Sequence, residues 1–500
     1  MRRRNAKRLF NVAGCILIGI WLVLLALLVR DEAMESRAET PAVRSKPELR
    51  AEARREWMEI YVAEKKVGYA VTRVSPAGEG YAVTEETFLK LNLLGRPSAL
   101  RTTLQALVDS DFRLRRFRFA MVSGAVRYHL RGRVSKGTLY LEQGEGGKGA
   151  VRKLKLDVPP MIGAGLGPYL EERGLRVGDE MSLPLFDPST LSRNSMRVRV
   201  VGRKRIRIHR IDYDAFRLEA RMWGRTMTLW VDEKGSILKQ EGLMGMTLVR
   251  SSAANAPRGI TSGGDDFYDL AAVGMDVRLN RPDRLSFLKL RLGGVDLGSL
   301  DRSVLGSGRQ RLEGGMLEVR REKVTHRASY VLPYKDVSGA MKSYLGPELN
   351  VESDHPSILH KAREILSGTK DPVRAVRKLN QWVYRNLEKR PVVSVPSAVE
   401  VLKTLVGDCN EHATLLTALL RAAGVPARIC LGLVGTRGKF YYHAWVEAYL
   451  DGWVSVDPTL GQIPADASHI KLAQGGIARQ MDILAFMGKL KLEVLDYKYD

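Results

Sequence analysis

Six residues, Gly407-Asp408-Cys409-Asn410-Glu411-His412, place a thiol where a loop gives way to a helix. Small and apolar residues then recur at helical spacing from Ala413 to Leu420, which predicts Cys409 in the first helical turn, capped by Asp408 or a neighbour. The unpaired N–H groups and the positive helix end at that position stabilise a thiolate, the nucleophilic form of cysteine. Cys409 is therefore a candidate nucleophile; the alternative is a small buried hydrophobe, as most lone cysteines are.

A second segment supplies the partners that a nucleophilic thiol needs. Aromatic and apolar residues from Tyr441 to Leu450 and from Trp453 to Val456 flank the pair Asp451-Gly452, which is typical of a β-hairpin. His443 lies on its first strand and Asp457 follows the second. Together with Cys409 they form the parts of a nucleophile, base and orienting system.

The length of the hairpin loop decides whether His443 and Asp457 meet. A two-residue loop pairs Leu450 with Trp453 and turns Asp457 away from His443. A three-residue loop of residues 450–452, with Gly452 in the left-handed region, pairs Tyr449 with Trp453 and makes His443 and Asp457 diagonal neighbours on one face. We predict the three-residue loop.

These motifs together resemble the transglutaminase-like superfamily of papain-type cysteine enzymes, of the bacterial membrane-anchored kind. The resemblance extends from about Leu345 to about Ile470 and includes a preceding helix, Asp371 to Leu387, and a helix exit at 420–428. It implies an α+β fold with Cys409 as nucleophile, His443 as general base and acid, and Asp457 as the residue that orients His443. It also implies an oxyanion site that includes the Cys409 N–H and a side chain upstream that the sequence does not identify.

The reaction expected from such a triad is attack of the thiol on an amide of a peptide or protein, through a thioester. We favour transfer of the acyl group to water, as in a peptidase or amidase, because water needs no second binding site. Transfer to an amine, as in a protein-crosslinking transamidase, is the alternative. A second class of function is a non-catalytic binding or assembly module at the cell envelope, for which a thiol in this position has no use.

Other chemistry has little support in the sequence. His412 lies three residues after Cys409 and is a rival base, although His443 has the aspartate partner. Glu411 is interpreted as a charge at the helix start rather than a proton donor. The eight histidines do not form a metal-binding pattern, and neither a Walker loop nor a dinucleotide fingerprint occurs, so we expect neither a metal nor a cofactor.

The first thirty residues predict a membrane anchor. Residues 1–8 carry five basic side chains, and the apolar run 9–29 is long enough to cross the ~30 Å hydrocarbon layer as a helix. Acidic residues dominate after Arg30, so the positive-inside rule makes residues 1–8 a cytoplasmic tail and places the rest outside the cytoplasm. We therefore expect a single-pass protein of the inner membrane with periplasmic domains. A cleaved signal peptide is the weaker alternative, because residues 27–32 offer no small-residue cleavage site.

The predicted fold class is a multidomain chain in which this transmembrane helix precedes antiparallel β-rich domains and an α+β papain-like domain. Its segments are a linker at 30–50, a basic β-rich domain at 51–250, a linker at 251–268, a small β-rich module at 269–344 and the catalytic domain at 345–500. Within the first β domain one helix is expected near Leu166 to Glu172. In the small module, strands are expected at 285–292, 316–320 and 327–332.

The formal net charge of +24 points to an anionic partner. Arginines concentrate in two runs, at 113–118 and 203–210, which alternating strands would gather on one face. Outside the cytoplasm the available anions are lipid head groups and envelope polymers, and nucleic acid is not expected. A solvated sheet face without a partner explains the same pattern about equally well.

Beyond the apolar run the chain has two cysteines, Cys409 and Cys430, too few for a disulfide scaffold. Cys430 falls in an apolar strand and is interpreted as a buried core thiol. A disulfide between the two would inactivate the enzyme, and we keep this redox switch as a minor alternative.

Overall fold

A computed structural model of the chain describes residues 53–500, apart from 125, 145–150, 244, 263–265, 297–300, 325–326, 336–337, 393, 396, 477–478, 480–482 and 484–485. The described residues belong to one compact unit, which spans Leu49–Asp500.

Fourteen of the described strands form a single antiparallel sheet. They are β1 (Arg54–Val62), β2 (Lys65–Ala77), β3 (Gly80–Leu93), β4 (Arg96–Asp109), β5 (Leu114–Ser123), β6 (Val126–Ser135), β7 (Thr138–Gln143), β8 (Val151–Lys155), β9 (Glu180–Asp187), β10 (Ser192–Ile208), β11 (Ile211–Met222), β12 (Arg225–Val231), β13 (Ile237–Leu243) and β14 (Met246–Ser251). The first eight strands form a meander, the last six form another, and β1 pairs with β14 to join them.

The sheet is curved, because segments far apart in its strand order are hydrogen-bonded to each other. Arg193 of β10 donates to the Lys155 carbonyl of β8 over 2.5 Å. Residues 160–161 connect the start of β5 with β9, since Leu114 N–H donates to Pro160 O and Met161 N–H to Pro184 O. We call this curved sheet the half-barrel. The antiparallel β-rich structure expected here is confirmed, and the helix expected within it is α1 (Leu166–Arg173).

Alternation of side chains explains why these strands bury one face. In β5 the apolar Phe117, Phe119 and Met121 are buried, whereas Arg116 and Arg118 are exposed. The inner face carries a hydrophobic core that runs from Val74 in β2 to Val231 in β12.

A smaller four-stranded sheet follows the half-barrel. It is preceded by α2 (Phe267–Ala271) and the short strand β15 (Val273–Gly274), and it contains β16 (Leu285–Gly293), β17 (Gln310–Glu313) and β18 (Met316–Arg320), with α3 (Arg302–Leu305) between β16 and β17. Two of its three predicted strands are confirmed. The strand expected at 327–332 is wrong, because these residues form bends and irregular backbone.

The α+β domain is built around one buried helix. Its helices are α4 (Lys342–Leu345), α5 (Pro356–Leu366), α6 (Pro372–Asn386), α7 (Ala398–Thr404) and α8 (Cys409–Ala422), and its strands are β19 (Glu388–Lys389), β20 (Val406–Gly407), β21 (Ala427–Thr436), β22 (Lys439–Tyr449), β23 (Trp453–Val456) and β24 (Ile470–Gln474). Helix α8 packs against β21 and β22 and is surrounded by α5, α6 and α7. The last strand, β25 (Lys491–Tyr499), returns to the smaller sheet and pairs with β16.

The predicted fold class is wrong in its first part, the membrane-spanning helix. No helix among the described residues is long and apolar enough to cross a membrane. A physical reason is length, since α6, with 15 residues, extends only about 22 Å, against a hydrocarbon layer of about 30 Å. The stretch 9–29 itself lies outside the described residues. The fold seen is β-rich, with an α+β domain.

Candidate active site

The site begins at the N-terminus of α8. Asp408 is the N-cap residue, and its Oδ1 accepts the N–H of Asn410 at 2.9 Å. Glu411 completes a capping box, because its Oε2 accepts the Asp408 N–H at 2.9 Å. The predicted cap is confirmed, and Cys409 is the first residue of the helix. Glu411 takes part in the cap, but burial and the nearby Asp408 raise the pKa of its carboxyl well above the usual value, so the charge predicted for it is disfavoured.

The environment of the Cys409 thiol favours its protonated form. Burial raises the pKa of this thiol well above its usual value, and the carboxylate of Asp408 raises it further. A hydrogen bond with the backbone of Ala444, the residue after His443, acts in the opposite direction. The pKa shift is thus opposite to the one expected from the helix end alone, so a base must remove the proton before Cys409 can attack.

The hairpin has the predicted three-residue loop. Tyr449 pairs with Trp453, and Val446 with Val456. The left-handed residue, however, is Asp451, with φ of 65°, and not Gly452. Asp451 tolerates this conformation because its carboxylate accepts both the N–H and the hydroxyl of Ser329, each over 2.5 Å.

This register brings His443 and Asp457 together. His443 Nε2 donates to Asp457 Oδ2 over 2.8 Å, and the Asp457 side chain is completely buried. Asp457 Oδ1 accepts the N–H groups of Thr459 and Leu460 at 2.6 and 2.9 Å. These contacts, above all the charge of His443, outweigh burial and hold the pKa of Asp457 far below its usual value. The carboxylate is ionised and fixes the ring so that Nδ1 is the nitrogen available to a thiol.

A second histidine, which the sequence analysis missed, shares the same carboxylate. His469 Nε2 donates to Asp457 Oδ2 over 3.0 Å, and Nδ1 lies 3.3 Å from Asp466 Oδ1. Although complete burial lowers the pKa of His469, the carboxylates of Asp466 and Asp457 raise it to about 9. His469 is therefore a buried cation behind the His443–Asp457 pair. The sequence analysis missed His469 because a histidine 12 residues after Asp457 belongs to no recognisable motif.

Tyr268 is another residue that the sequence did not reveal. Its hydroxyl donates to Asp408 Oδ2 over 2.7 Å, across 140 positions of sequence. Burial raises the pKa of Tyr268 well above its usual value, and the nearby Asp408 and Cys409 add to the effect. The segment that joins the half-barrel to the rest of the chain thus contributes a side chain next to the thiol.

The rival base His412 points elsewhere. It is completely buried, and its Nδ1 contacts the Asp408 carbonyl at 2.6 Å. Its Nε2 is buried without a hydrogen-bond partner among the described residues. Burial lowers the pKa of His412, so the ring is neutral and is used as part of the helix packing.

Cys430 also lies away from the reaction centre. Both Cys409 and Cys430 are free thiols. Cys430 is completely buried beside a cluster in which Lys471 Nζ donates to Glu447 Oε1 and Arg428 to Glu447 Oε2, each over 2.7 Å. The redox switch between the two cysteines stays a prediction.

One group of described side chains has the donor atoms of a metal site. Atoms of His443, Asp457 and His469 lie within 4.8 Å of one another. The two histidines already donate to the same Asp457 oxygen, and His469 is held by Asp466 at its other nitrogen. We therefore interpret the group as a hydrogen-bonded network.

A cavity of about 820 Å³ opens onto the thiol. Cys409, Asn410 and His443 line it together with the inner face of the half-barrel. The nucleophile and the candidate base thus face the same space.

Comparison with protein families agrees with this geometry. Residues 360–458 match the transglutaminase-like superfamily. The matched stretch includes Cys409, His443 and Asp457.

Two curated relatives match parts of the same chain. An uncharacterised protein of Mycobacterium leprae is 29% identical over 99 residues, which cover 18% of this chain and 36% of the relative. A protein-glutamine gamma-glutamyltransferase of Pseudomonas aeruginosa is 38% identical over 73 residues, 12% of this chain and 11% of that enzyme. The chain therefore spans only a minor part of each relative.

Solved structures show weaker likeness. A candidate cysteine protease from Cytophaga hutchinsonii has a TM-score of 0.28 and 17% identity, over 43% of this chain and 88% of that one. A β-barrel-like protein from Brucella abortus has a TM-score of 0.32 and 11% identity, over 40% of this chain and 96% of that one. These scores are too low to support an argument.

Proposed function

We propose that the transglutaminase-like domain at residues 360–458 makes this chain a cysteine enzyme that cleaves amide bonds through a thioester on Cys409. The observation that carries the proposal is the placement of three groups. Cys409 begins α8, His443 shares its cavity, and Asp457 holds the His443 ring over 2.8 Å.

The first half of the reaction forms the thioester. His443 Nδ1 takes the proton of Cys409 Sγ, which the thiol otherwise keeps because burial raises its pKa. The Sγ–C bond then forms at the amide carbonyl, and the developing oxyanion lies near the N-terminus of α8, where backbone N–H groups have no partner within the helix. The C–N bond breaks as His443 returns the proton to the leaving nitrogen.

The second half releases the acyl group. Water attacks the thioester carbon, gives a proton to His443 and displaces the Cys409 sulfur, which then recovers that proton. The products are a carboxylic acid and an amine. Transfer to an amine in place of water would follow the same steps, and we favour hydrolysis because it requires no acceptor site.

The substrate and its location belong to the same proposal. We propose that the substrate is an amide of a peptide or protein and that the chain meets it outside the cytoplasm. Alkaline phosphatase fused after Asp500 tests the location, because it is active only where its disulfides form. An inactive fusion, with an active cytoplasmic reporter at the same position, would contradict it.

The chemistry is tested with p-nitrophenyl acetate, which acylates a reactive cysteine and releases a coloured product. The full-length chain is expected to show a burst of about one equivalent, followed by slow turnover as water removes the acetyl group. Addition of glycinamide tests the alternative acceptor: acetylglycinamide formed faster than with the Cys409→Ser variant, which corrects for the direct reaction of the ester with the amine, shows that an amine competes with water for the thioester.

Three variants make the test specific. Cys409→Ser and His443→Ala are expected to lose the burst, whereas Cys430→Ser retains it because Cys430 is buried away from the cavity. A burst that persists in Cys409→Ser would disprove the nucleophile. Loss of the burst in a correctly folded Cys430→Ser variant would indicate that Cys430, and not Cys409, is the nucleophile.

A further inference from the structure

The cavity at the thiol extends far beyond the space that the triad needs. Its volume of about 820 Å³ lies near the upper end for small-molecule sites, which measure about 300–1,000 Å³. Most of its wall belongs to the half-barrel, from β1 to β5 on one side and from β9 to β14 on the other.

One end of the cavity lies at the active site. The turn between β3 and β4 is fixed there, because Gly95 N–H donates to Asp266 Oδ2 over 2.6 Å. Asp266 lies two residues before Tyr268. Tyr268 in turn donates to Asp408. Leu93 and Tyr268 line this end together with Cys409.

Helix α1 closes the opposite end. Leu166 and Gly167 at its start line the cavity, and Arg54 at the start of β1 donates to Glu171 Oε2 over 3.0 Å. Along β3, Leu93 and Glu85 line the cavity eight positions apart, which corresponds to roughly 26 Å of strand. The acyl chains of one bilayer leaflet span about half of the ~30 Å hydrocarbon layer, so a long aliphatic chain fits within this length.

The wall is apolar and adaptable. Seven of the chain's 16 methionines line the cavity, and they are Met58, Met121, Met196, Met222, Met227, Met246 and Met487. Methionine side chains are flexible and repack around an irregular apolar ligand. Polar groups collect at the end near α1, where burial and the charge of Asp187 raise the pKa of Glu85 to about 7.

The backbone of the wall argues against a peptide as the occupant. Each neighbouring pair of the fourteen strands is joined in the sheet ladder, so the wall uses its N–H and C=O groups within itself. An extended peptide inside would leave its own backbone groups unpaired in an apolar space, which is strongly unfavourable. An aliphatic chain has no such groups.

We propose that the half-barrel cavity holds the aliphatic chain of a long-chain N-acyl amide and presents its carbonyl carbon to Cys409. This inference rests on the proposed function and names its substrate class. The Cys409 Sγ–C bond forms and the C–N bond breaks. The amine, including the N-terminus of an acylated peptide, leaves with the proton held by His443. The acyl chain stays in the cavity as a thioester until water releases it as a fatty acid and restores the thiol.

Binding is tested separately from catalysis. The full-length Cys409→Ala variant is titrated with a fluorescent long-chain fatty acid, which is expected to bind saturably at one site. Competition by unlabelled fatty acids should strengthen with chain length, by up to about fourfold for each added methylene. Absence of saturable binding, or affinity that does not depend on chain length, would overturn the inference.

A matched pair of substitutions locates the site. Ala70 lines the cavity and is half-buried, so Ala70→Phe fills part of it and should weaken binding by roughly tenfold or more. Ala99 is exposed in the same sheet and does not line the cavity, so Ala99→Phe should bind as the parent does. Equal loss in both variants, or in neither, would contradict the placement.

A third measurement separates this inference from the proposed function. In the wild-type chain, acylation by p-nitrophenyl dodecanoate should exceed acylation by the acetate ester by at least about tenfold. A burst with the acetate ester, without faster acylation by the dodecanoate ester, would support the proposed enzyme activity and refute the lipid substrate. Saturable fatty-acid binding without any burst on either ester would support the cavity and refute the enzyme.

Discussion

Asp457 is the residue on which the site depends, because one of its oxygens serves two histidines. Oδ2 accepts from His443 at 2.8 Å and from His469 at 3.0 Å, while Oδ1 is held by backbone N–H groups. The second histidine balances the buried negative charge and restricts the carboxylate. His443 therefore starts each turnover in one ring orientation.

The raised pKa of His469 predicts a pH-dependent contribution to stability. A histidine with a folded pKa of about 9 and an unfolded pKa of about 6.5 stabilises the fold fully below pH 6.5 and loses this effect as pH rises through 9. The difference in unfolding free energy between wild type and His469→Gln should be on the order of 3 kcal/mol near pH 6.5 and shrink towards pH 9.5. Urea denaturation across that range measures it, and a difference independent of pH would contradict the ion-pair network.

The charge of Asp408 predicts a gain in thiol reactivity. Asp408→Asn keeps an oxygen that can accept the Asn410 N–H but removes a negative charge that raises the pKa of Cys409. The pH profile of alkylation should move to lower pH, so that the rate at pH 7 rises several-fold. Asp371→Asn is the control, since Asp371 caps α6 through the Arg374 N–H and does not line the cavity. An unchanged profile in Asp408→Asn would disprove the effect.

The chemistry at single residues could be predicted from sequence where it depends on local pattern. Cys409, Asp408 and Glu411 lie within four positions, so the helix cap and the thiol at the helix start could be predicted from one short segment. Tyr268 could not be predicted, because it reaches Asp408 across 140 positions. The pKa of Cys409 was also out of reach, since burial depends on packing from the whole domain.

At the scale of elements, the approach of β24 to β21 positions the second histidine. Gly432 pairs with His443 on β22 and with Lys471 on β24. A Cβ at Gly432 would lie 1.9 Å from the Ile470 carbonyl oxygen, next to His469. Only a residue without a side chain allows the strands to approach in this way.

Gly432→Ala is therefore expected to displace β24 and to weaken the contact between His469 and Asp457. The acylation burst should slow by roughly tenfold or more, and the thermal midpoint should fall. Gly202→Ala in β10 is the control, because no atom lies within 4 Å of the added Cβ. The rate of the acylation burst and the thermal midpoint are measured for both variants and compared. A Gly432→Ala variant as active and stable as the control would show that this approach is unimportant.

The hairpin shows what pairing rules can and cannot give. Counting residues against the alternation of faces predicted the three-residue loop, because only that loop brings His443 and Asp457 together. The left-handed residue was misassigned to Gly452, since the contacts of Asp451 with Ser329 come from a distant loop. Local propensity was overridden by a tertiary hydrogen bond.

At the scale of the whole molecule, the two arginine runs behave differently. In the run at 203–210, Arg205 and Arg207 pair with Asp214 and Asp212 on the neighbouring strand. In the first run, Arg118 of β5 lies opposite Arg131 of β6, and Arg116 lies opposite Arg133. All four side chains of this basic face are exposed.

We propose that this basic face binds an anionic surface such as lipid head groups. The full-length chain should bind anionic liposomes more weakly as salt rises, because exposed charges are screened beyond about 10 Å at 0.1 M. The double change Arg118→Glu and Arg131→Glu should reduce binding several-fold at low salt. Arg205→Glu with Arg207→Glu is the matched control and should reduce it less, since these arginines are already paired. Cosedimentation measures both. Equal losses would contradict a role specific to this face.

The fold class of the half-barrel could be predicted from the sequence, but its cavity could not. The sequence predicted an antiparallel β-rich domain at 51–250, and fourteen strands form one antiparallel sheet there. Its curvature and its contact with the start of α8 depend on long-range hydrogen bonds, such as Arg193 with Lys155 and Tyr268 with Asp408, which no local pattern encodes. The cavity that joins the β domain to the catalytic residues therefore appears only in three dimensions.

Alkylation by iodoacetamide shows whether His443 activates the Cys409 thiol. The full-length chain is labelled across pH 5 to 10, and the modified cysteine is identified by peptide mapping. Cys409 should be labelled at neutral pH, whereas Cys430, which is completely buried, should be spared. His443→Ala should slow labelling of Cys409 by at least about tenfold at pH 7, because the thiol then keeps its proton. Equal labelling of Cys409 in wild type and His443→Ala would show that His443 does not activate this thiol.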